Sequence, residues 1–223
     1  MGRPQKIPAG PPHLQRLVRY LRDLRATESV TYEEMADRTN VSAATLKRVA
    51  SGTTVPRWPR VMQFCTAASS GPVRVKIVHD AHQLWARARM EQRGTLHLKT
   101  PRPEYIADQA DLSLALYTLY EYDGAPPLRY VQERAGGTVH LPLSTLARIV
   151  SRQTLPADSQ QFSAFLRGCG VPEIQQSKWE VAFRKVTWKN DYAPPAWYTR
   201  ELRQRSRELT VDYAPPAWYT QNA

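Results

Sequence analysis

Residues 31–50, TYEEMADRTNVSAATLKRVA, decide the fold of the first part of this chain. Thr31 offers a side-chain oxygen to the first amides of a helix, and Glu34 stands three places later, which is the spacing of a capping box. Met35 and Ala36 fall on one side of the helix that this cap begins. The pattern predicts a short helix over residues 32–39.

A second helix follows this one after a tight turn. Asn40 is one of the residue types other than glycine that tolerate a left-handed backbone, so we expect it to make the turn. Ser42 can cap the helix that follows. Val41, Leu46 and Val49 form the apolar set that should face the core. The sequence therefore predicts a helix, a turn and a helix in close succession.

Further helices are predicted on both sides of this unit. Between Leu14 and Leu24 apolar residues recur every three or four places, which predicts an amphipathic helix. The arginines expected on its outer side are Arg16, Arg19, Arg22 and Arg25. Residues 51–59, SGTTVPRWP, predict a loop that leads into another helix, and Trp85 on a later helix should be buried in the core.

This arrangement resembles the helix-turn-helix of lambda-repressor-like regulators, the XRE family, over residues 12–90. Thr39 and Asn40 depart from the family pattern, which usually has an apolar residue and a glycine there. The resemblance implies that the helix after the turn enters the major groove, where lysine or arginine pairs with guanine and alanine contacts a thymine methyl group. Its outward residues are Ser42, Ala43, Ala44, Lys47 and Arg48. The residues expected to contact phosphates are Thr31, Thr53, Arg57 and Arg60.

The motif returns in altered form later in the chain. Residues 41–56, VSAATLKRVASGTTVP, are echoed by residues 141–156, LPLSTLARIVSRQTLP, and residues 108–122 predict an amphipathic helix before the echo. Gln132 replaces the small Ala36, so the two helices should approach differently and the turn should be looser. The candidates for a second DNA contact, on the predicted second recognition helix, are Ser144, Arg148 and Arg152. Trp179, like Trp85, is expected in the core.

The positive charge of the chain lies in its first part. The whole sequence has 31 Lys and Arg against 20 Asp and Glu. Residues 1–103 hold 18 Lys and Arg and 7 Asp and Glu, residues 104–190 hold 9 of each, and residues 191–223 hold 4 of each. Basic side chains that neutralise phosphates release counterions and gain affinity for a polyanion. The charge therefore favours double-stranded DNA as the partner of the first part.

The end of the chain carries a repeated peptide. Residues 191–199 and 212–220 both read DYAPPAWYT. A Pro-Pro pair favours an extended backbone, and the flanking aromatic residues are typical of peptides that dock into grooves on a protein partner. A recent duplication without function is the alternative. The candidate docking residues are Tyr192, Trp197, Tyr213 and Trp218.

The sequence thus predicts an all-α chain with two tandem lambda-repressor-like helix-turn-helix domains and an extended C-terminal tail. The predicted segments are a flexible arm (1–11), a helix-turn-helix DNA-binding domain (12–93), a linker (94–107), a second helix-turn-helix-like domain (108–187) and the tail (188–223).

Catalytic, metal-binding and membrane signals are weak or absent in the sequence. It lacks a glycine-rich phosphate loop, a nucleophile elbow and a clustered acid–base pair, so we expect no enzyme and no cofactor. His79 and His82 could share a helix face, but without a third ligand they predict a surface pair and no metal site. Cys65 and Cys169 are expected to be reduced, half-buried packing residues. With no membrane-length apolar run and no signal peptide, a cytoplasmic protein without membrane contact is expected.

Together these features predict a sequence-specific DNA-binding transcriptional regulator that reads duplex DNA through the first helix-turn-helix. The second copy would support a homodimer or contact a half-site. The alternative is a non-enzymatic adaptor that uses helix-turn-helix folds and the duplicated tail peptide to dock other proteins. Salt-dependent retention on heparin and on duplex DNA separates the two, because an adaptor should show little of either.

Overall fold

The computed structural model describes residues 10–191, with side chains up to residue 187. Within these residues the chain forms ten α-helices and one short 3₁₀ helix, Pro103–Tyr105, and no strand. The predicted all-α class is confirmed. The helices are α1 Pro12–Thr27, α2 Tyr32–Asp37, α3 Ala43–Val49, α4 Trp58–Ala68, α5 Arg74–Arg93, α6 Gln109–Tyr122, α7 Leu128–Arg134, α8 Leu143–Val150, α9 Ser159–Gly168 and α10 Glu173–Asp191. The four aromatic residues predicted to dock a partner, Tyr192, Trp197, Tyr213 and Trp218, lie outside the described residues.

The first five helices enclose one hydrophobic core. α1 begins with Pro12 in its first turn, where the missing amide costs nothing, and it packs along α5. α4 also packs on α5, and Trp85 of α5 is buried as predicted. The other fully buried large side chains of this core include Leu17, Leu21, Met35, Leu46 and Phe64.

The last five helices enclose a second core. α7 and α10 pack on α9, and α6 contacts both α8 and α10. Trp179 is buried here, as predicted, and Phe162 stacks on Phe183 with ring centroids 4.4 Å apart. Ile106, which falls in the predicted linker, is buried in this core too. The segment before α6 is therefore tied to the second core, while the predicted tandem duplication and its boundaries stay predictions.

The two cores meet where α5 packs on α6 and where Trp58 of α4 reaches Tyr130 of α7. The Trp58 indole Nε1 donates a hydrogen bond to the Tyr130 hydroxyl at 2.7 Å, and Arg93 Nε donates to Glu121 Oε2 at 2.8 Å. The residues that we call the junction are Trp58, His82, Trp85 and Arg93 from the first five helices and Glu121, Asp123, Gly124, Tyr130 and Arg134 from the last five. Polar and aromatic contacts thus connect the halves directly.

The histidine pair is not the surface pair that the sequence predicts. His79 is exposed, but the His82 side chain keeps only 17% of its accessible area. The His82 ring lies 4.5 Å from the Trp58 ring and 5.6 Å from the Trp85 ring, centroid to centroid. The expectation fails for His82 because Trp58 of α4 and Asp123, directly after α6, pack against it. No group of three metal-ligating side chains occurs among the described residues.

Both cysteines are free, and both are buried more deeply than the half-buried state predicted. Burial raises the pKa of the Cys65 thiol to about 12 and that of the Cys169 thiol well above its ordinary value. Among the described helices, none has the length and apolar character that spanning a membrane would require.

Candidate DNA-binding surface

The first helix of the motif begins with the predicted capping box. The Thr31 amide donates to Glu34 Oε2 at 2.7 Å, and the Glu34 amide donates to Thr31 Oγ1 at 3.2 Å. α2 then ends at Asp37, two residues before the predicted end. The Thr39 hydroxyl donates to the Met35 carbonyl at 3.0 Å, a local contact that competes with continuing the helix.

The turn after α2 is made without a left-handed residue, so the predicted role of Asn40 is wrong. The non-glycine residues with positive φ in the described chain are elsewhere, at Ser29, Ala125 and Arg152. Instead, the Arg38 amide donates to the Glu34 carbonyl and the Thr39 amide to the Ala36 carbonyl. These right-handed residues close α2, so the turn requires no positive φ.

α3 presents one buried side and one exposed side. The Ser42 hydroxyl accepts a hydrogen bond from the Thr45 amide at 3.4 Å, which confirms it as the cap. Val41, Leu46 and Val49 are buried, as predicted. On the opposite side the structure places the predicted base-contacting residues: Ser42, Ala44, Lys47 and Arg48 are exposed and Ala43 is half-buried.

The two cations on this exposed side differ in their surroundings. Lys47 Nζ lies 3.0 Å from Glu33 Oε1 and 5.7 Å from the centre of the Tyr32 ring. The hydrogen bond from Lys47 lowers the pKa of Glu33 below its usual value. Arg48, in contrast, has no acidic group within ion-pairing distance in the described chain. Arg48 therefore carries the more available positive charge of α3.

Two of the four arginines predicted on the outer side of α1 instead bond to carbonyl groups within the helix-turn-helix. Arg22 Nε donates to the Ala50 carbonyl at 2.9 Å and Arg22 Nη2 to the Ser51 carbonyl at 3.3 Å, so Arg22 holds the C-terminal end of α3. Arg25 donates to the Val30 carbonyl and lies 4.7 Å from the centre of the Tyr32 ring. The expectation of an outward face holds for Arg16 and Arg19, which are exposed. Helical spacing gave no sign that Arg22 positions α3.

The residues expected to contact phosphates are all exposed. Arg57 precedes α4, whose first residue, Trp58, is buried. Arg60 Nη1 donates to Gln63 Oε1 at 2.9 Å. The four residues are Thr31, Thr53, Arg57 and Arg60. Because they are exposed, these residues can reach a DNA backbone. The phosphate contact itself stays a prediction.

In the second half, α7 and α8 are joined by a glycine-containing turn. Gly136 and Gly137 have φ of 102° and 92°, values that favour glycine. The side-chain Nε2 of Gln132 donates a hydrogen bond to the Leu141 carbonyl at 2.8 Å. Gln132 therefore bonds to the segment that enters α8. Leu146 and Ile149 are buried under α8. The connection between α7 and α8 is longer than the one between α2 and α3.

Only part of the predicted second recognition surface lies on α8. Ser144 and Arg148 are exposed on this helix. Arg152 does not belong to it, because α8 ends at Val150 and Arg152 has a left-handed φ of 61°. The Arg152 amide donates to the Ile149 carbonyl, which terminates the helix. The placement of Arg152 on the helix is therefore wrong.

Residues 16–74 match a family described as helix-turn-helix domain. This part of the chain is a helix-turn-helix domain of the XRE, or lambda-repressor, type, and such a domain indicates a DNA-binding regulator. The match ends at the start of α5, short of the residues 12–90 over which the resemblance was expected. No curated protein matches the chain, and no solved structure does. The matched residues do not include α6 to α10, so the second helix-turn-helix stays a prediction.

Proposed function

We propose that this chain is a sequence-specific transcriptional regulator and that α3 reads base edges in the major groove. The observation that carries the proposal is the division of α3 into two sides. Leu46 and Val49 fix one side in the core, while Ser42, Lys47 and Arg48 project from the other. A recognition helix needs this arrangement, because its outward residues supply the base contacts.

The charge distribution supports duplex DNA as the ligand. Residues 1–103, which contain α1 to α5, have 18 Lys and Arg against 7 Asp and Glu. Lys47 is partly neutralised by Glu33, so it must exchange this carboxylate for a base or phosphate on binding. Arg48 makes no such exchange. We therefore assign the main base contact to Arg48 and the phosphate contacts to the exposed Thr31, Thr53, Arg57 and Arg60.

The test compares two arginine variants in the full chain. Bound duplexes are selected from a random pool, and the affinity for the selected site is measured at several salt concentrations. Arg48→Ala should relax the preference at one base position by about 1–3 kcal/mol. Arg60→Ala should weaken binding evenly across sequences and flatten the slope of log K against log salt by about 1. Arg184→Ala, at an exposed position of α10, is the control for the loss of one positive charge.

Two results contradict the proposal. A merely basic protein binds duplex DNA no more tightly than it binds heparin. If this chain behaves in that way, the sequence-specific role is excluded. An unchanged base preference for Arg48→Ala, together with an altered preference for Arg60→Ala, reverses the assignment of the two residues.

The second half is proposed to supply a partner surface, through a homodimer or through α8 at a second half-site. The exposed Ser144 and Arg148 support a direct contact. Two recognition helices that bind one face of DNA lie about 34 Å apart. A pseudopalindromic site bound by a dimer in sedimentation supports the homodimer, and an asymmetric site bound by a monomer supports α8. A monomer that covers one short half-site contradicts both.

The exact repetition of DYAPPAWYT favours a second role as an adaptor for a protein partner. Two copies of a peptide on one chain raise avidity when the partner offers two grooves. Changing Trp197 and Trp218 together to Ala should abolish retention of that partner, and either change alone should weaken it. DNA affinity should be unaffected, and loss of DNA binding without a partner would contradict this role.

A further inference from the structure

α10 carries exposed apolar side chains on the side that faces away from its own core. Trp179, Phe183 and Val186 are buried beneath the helix. Ile174 and Val181 instead keep 87% and 68% of their accessible area. They lie seven residues apart in the sequence, which is about two helical turns, so they form one line along the helix. Within the part of the chain that the structure describes, nothing covers this line.

The residues between these two complete a seven-residue pattern. Ser177 and Arg184 follow Ile174 and Val181 by three places, and both are exposed. Alternating steps of three and four residues are those of the a and d positions along which two helices pair. The branched Ile174 and Val181 take the a positions, where such side chains favour two parallel helices. At the d positions Ser177 is small, and Arg184 lies 3.6 Å from Glu180 of its own helix, which offsets its charge.

The charged residues beside this line select the orientation of a pair. Glu173 and Glu180 precede the apolar residues by one place, and Lys178 and Lys185 follow them by four. These are the g and e positions, and in a parallel pair a g residue faces the e residue five places later in the other helix. Glutamate would therefore meet lysine at both levels. Antiparallel helices would bring glutamate against glutamate and lysine against lysine.

The two lysines have partners in their own chain that leave room for a second contact. Lys178 Nζ lies 3.3 Å from Glu104 Oε1, and both side chains are more than half exposed. Lys185 Nζ donates to the Ile106 carbonyl at 3.1 Å. An ammonium group has three donors, so each lysine can keep its present contact and also meet a glutamate of another helix.

We propose that α10 is a self-association surface, which pairs in parallel with α10 of a second copy of this chain along the line of Ile174 and Val181. The buried side of each helix faces away from this line, so the two cores lie on opposite sides of the pair. A line of about two heptads with polar d positions binds weakly, and we expect a dissociation constant of about 10–100 µM. Both chains then leave α10 at the same end, where the repeated DYAPPAWYT begins.

The inference names a contact surface for the homodimer of the proposed function. It rests on that homodimer and not on base reading by α3, and association is measured without DNA. A monomeric chain that still selects one DNA site overturns this inference alone. A dimer that fails in both tests below also overturns it, whatever DNA it binds. Arg184→Ala removes a like charge beside the line, so it should not weaken the pair.

The first test follows the cross-linking of I174C in the full chain under mild oxidation. In a parallel pair Ile174 lies opposite Ile174 of the second copy, so the introduced thiols can form a disulfide. Cys65 and Cys169 are buried and should contribute little. The control is D23C, at an exposed site on α1. I174C should cross-link at least about tenfold faster than D23C, because pairing raises the effective concentration of the thiols.

The second test reverses the charges of one flank at a time and measures the dissociation constant by sedimentation equilibrium. E173K with E180K leaves lysine on both flanks, and K178E with K185E leaves glutamate on both. Each double variant alone should raise the dissociation constant at least about tenfold, because attractive pairs between the helices become repulsive. An equimolar mixture of the two should recover association, since a lysine flank then meets a glutamate flank. A purely structural role of these residues does not produce that recovery.

Several results overturn the proposal. Wild type that sediments as a monomer up to about 0.5 mM has no such surface. Equal cross-linking rates for I174C and D23C exclude the parallel pair. Association that is unchanged in both double variants, or that does not recover in their mixture, excludes the charged flanks. If a double variant does not fold, as judged by its unfolding midpoint, the wild-type sedimentation and the cross-linking of I174C decide.

Discussion

Replacing Gly124 by alanine measures how tightly the end of α6 packs against α5. Gly124 has a φ of 86°, and a Cβ placed on it would lie 2.6 Å from Cζ3 of Trp85 and 3.1 Å from Cα of Ala86. An alanine in this left-handed conformation costs about 1–2 kcal/mol. Forcing an extra methyl group against a buried ring costs about 1–3 kcal/mol more. We therefore expect Gly124→Ala to lower the free energy of unfolding by about 2–5 kcal/mol.

The control for the backbone part of this cost is Gly94→Ala. Gly94 follows α5, has a φ of 72°, and has no heavy atom within 4 Å of the added Cβ. It should lose only the left-handed penalty of about 1–2 kcal/mol. The assay is urea denaturation of the full chain, followed by circular dichroism, with the midpoint and slope compared among the three proteins. The difference between the variants reports the contact with Trp85.

Equal losses for the two glycine variants would refute the reasoning, since the contact with Trp85 would then contribute nothing. A loss below about 1 kcal/mol for Gly124→Ala would also show that the chain avoids the left-handed backbone there. Either result would mean that the halves pack differently at this point.

Three further predictions concern a helix cap, the packing of the first core and the burial of the two thiols. Ser42→Ala removes the cap of α3 and should cost about 1 kcal/mol in urea denaturation, whereas Ser42→Asp should retain most of it. Leu46→Ala leaves a cavity in the core and should cost about 2–5 kcal/mol; a loss below about 1 kcal/mol would contradict its burial. Cys65 and Cys169 should resist a thiol reagent at pH 8 in the native protein and react once urea unfolds it, because burial raises the pKa of both thiols; rapid native labelling would contradict this.

The caps and inward faces of the helix-turn-helix could be predicted from the sequence because they depend on local spacing. Thr31 and Glu34 lie three residues apart, and Ser42 directly precedes its helix, so a capping bond needs little information from the rest of the fold. Asn40 shows the limit of such reasoning. Asparagine tolerates a left-handed backbone but does not need one, and the turn after α2 forms without a residue of positive φ.

Contacts between distant residues could not be predicted in this way. Arg22 meets the end of α3 across 28 positions, and Asp123, directly after α6, meets His82 of α5. Periodicity assigned Arg22 and His82 to solvent because it records which side of a helix a residue occupies and not what covers that side. The same limit applies to Arg152, which the repeated sequence placed on α8 although the helix ends at Val150.

The junction also changes how the DNA-binding half can be tested. Trp58 and Trp85 belong to the first core, yet Trp58 donates to Tyr130 and Trp85 lies against Gly124. A fragment that ends at residue 103 lacks both of these partners, so α4 and α5 would be less well supported. A change in its DNA affinity could then come from this lost packing as well as from lost contacts with DNA. Point variants in the full chain keep that support intact. A loss of affinity in Arg48→Ala can then be assigned to α3 itself, provided that the unfolding midpoint of the variant equals that of wild type.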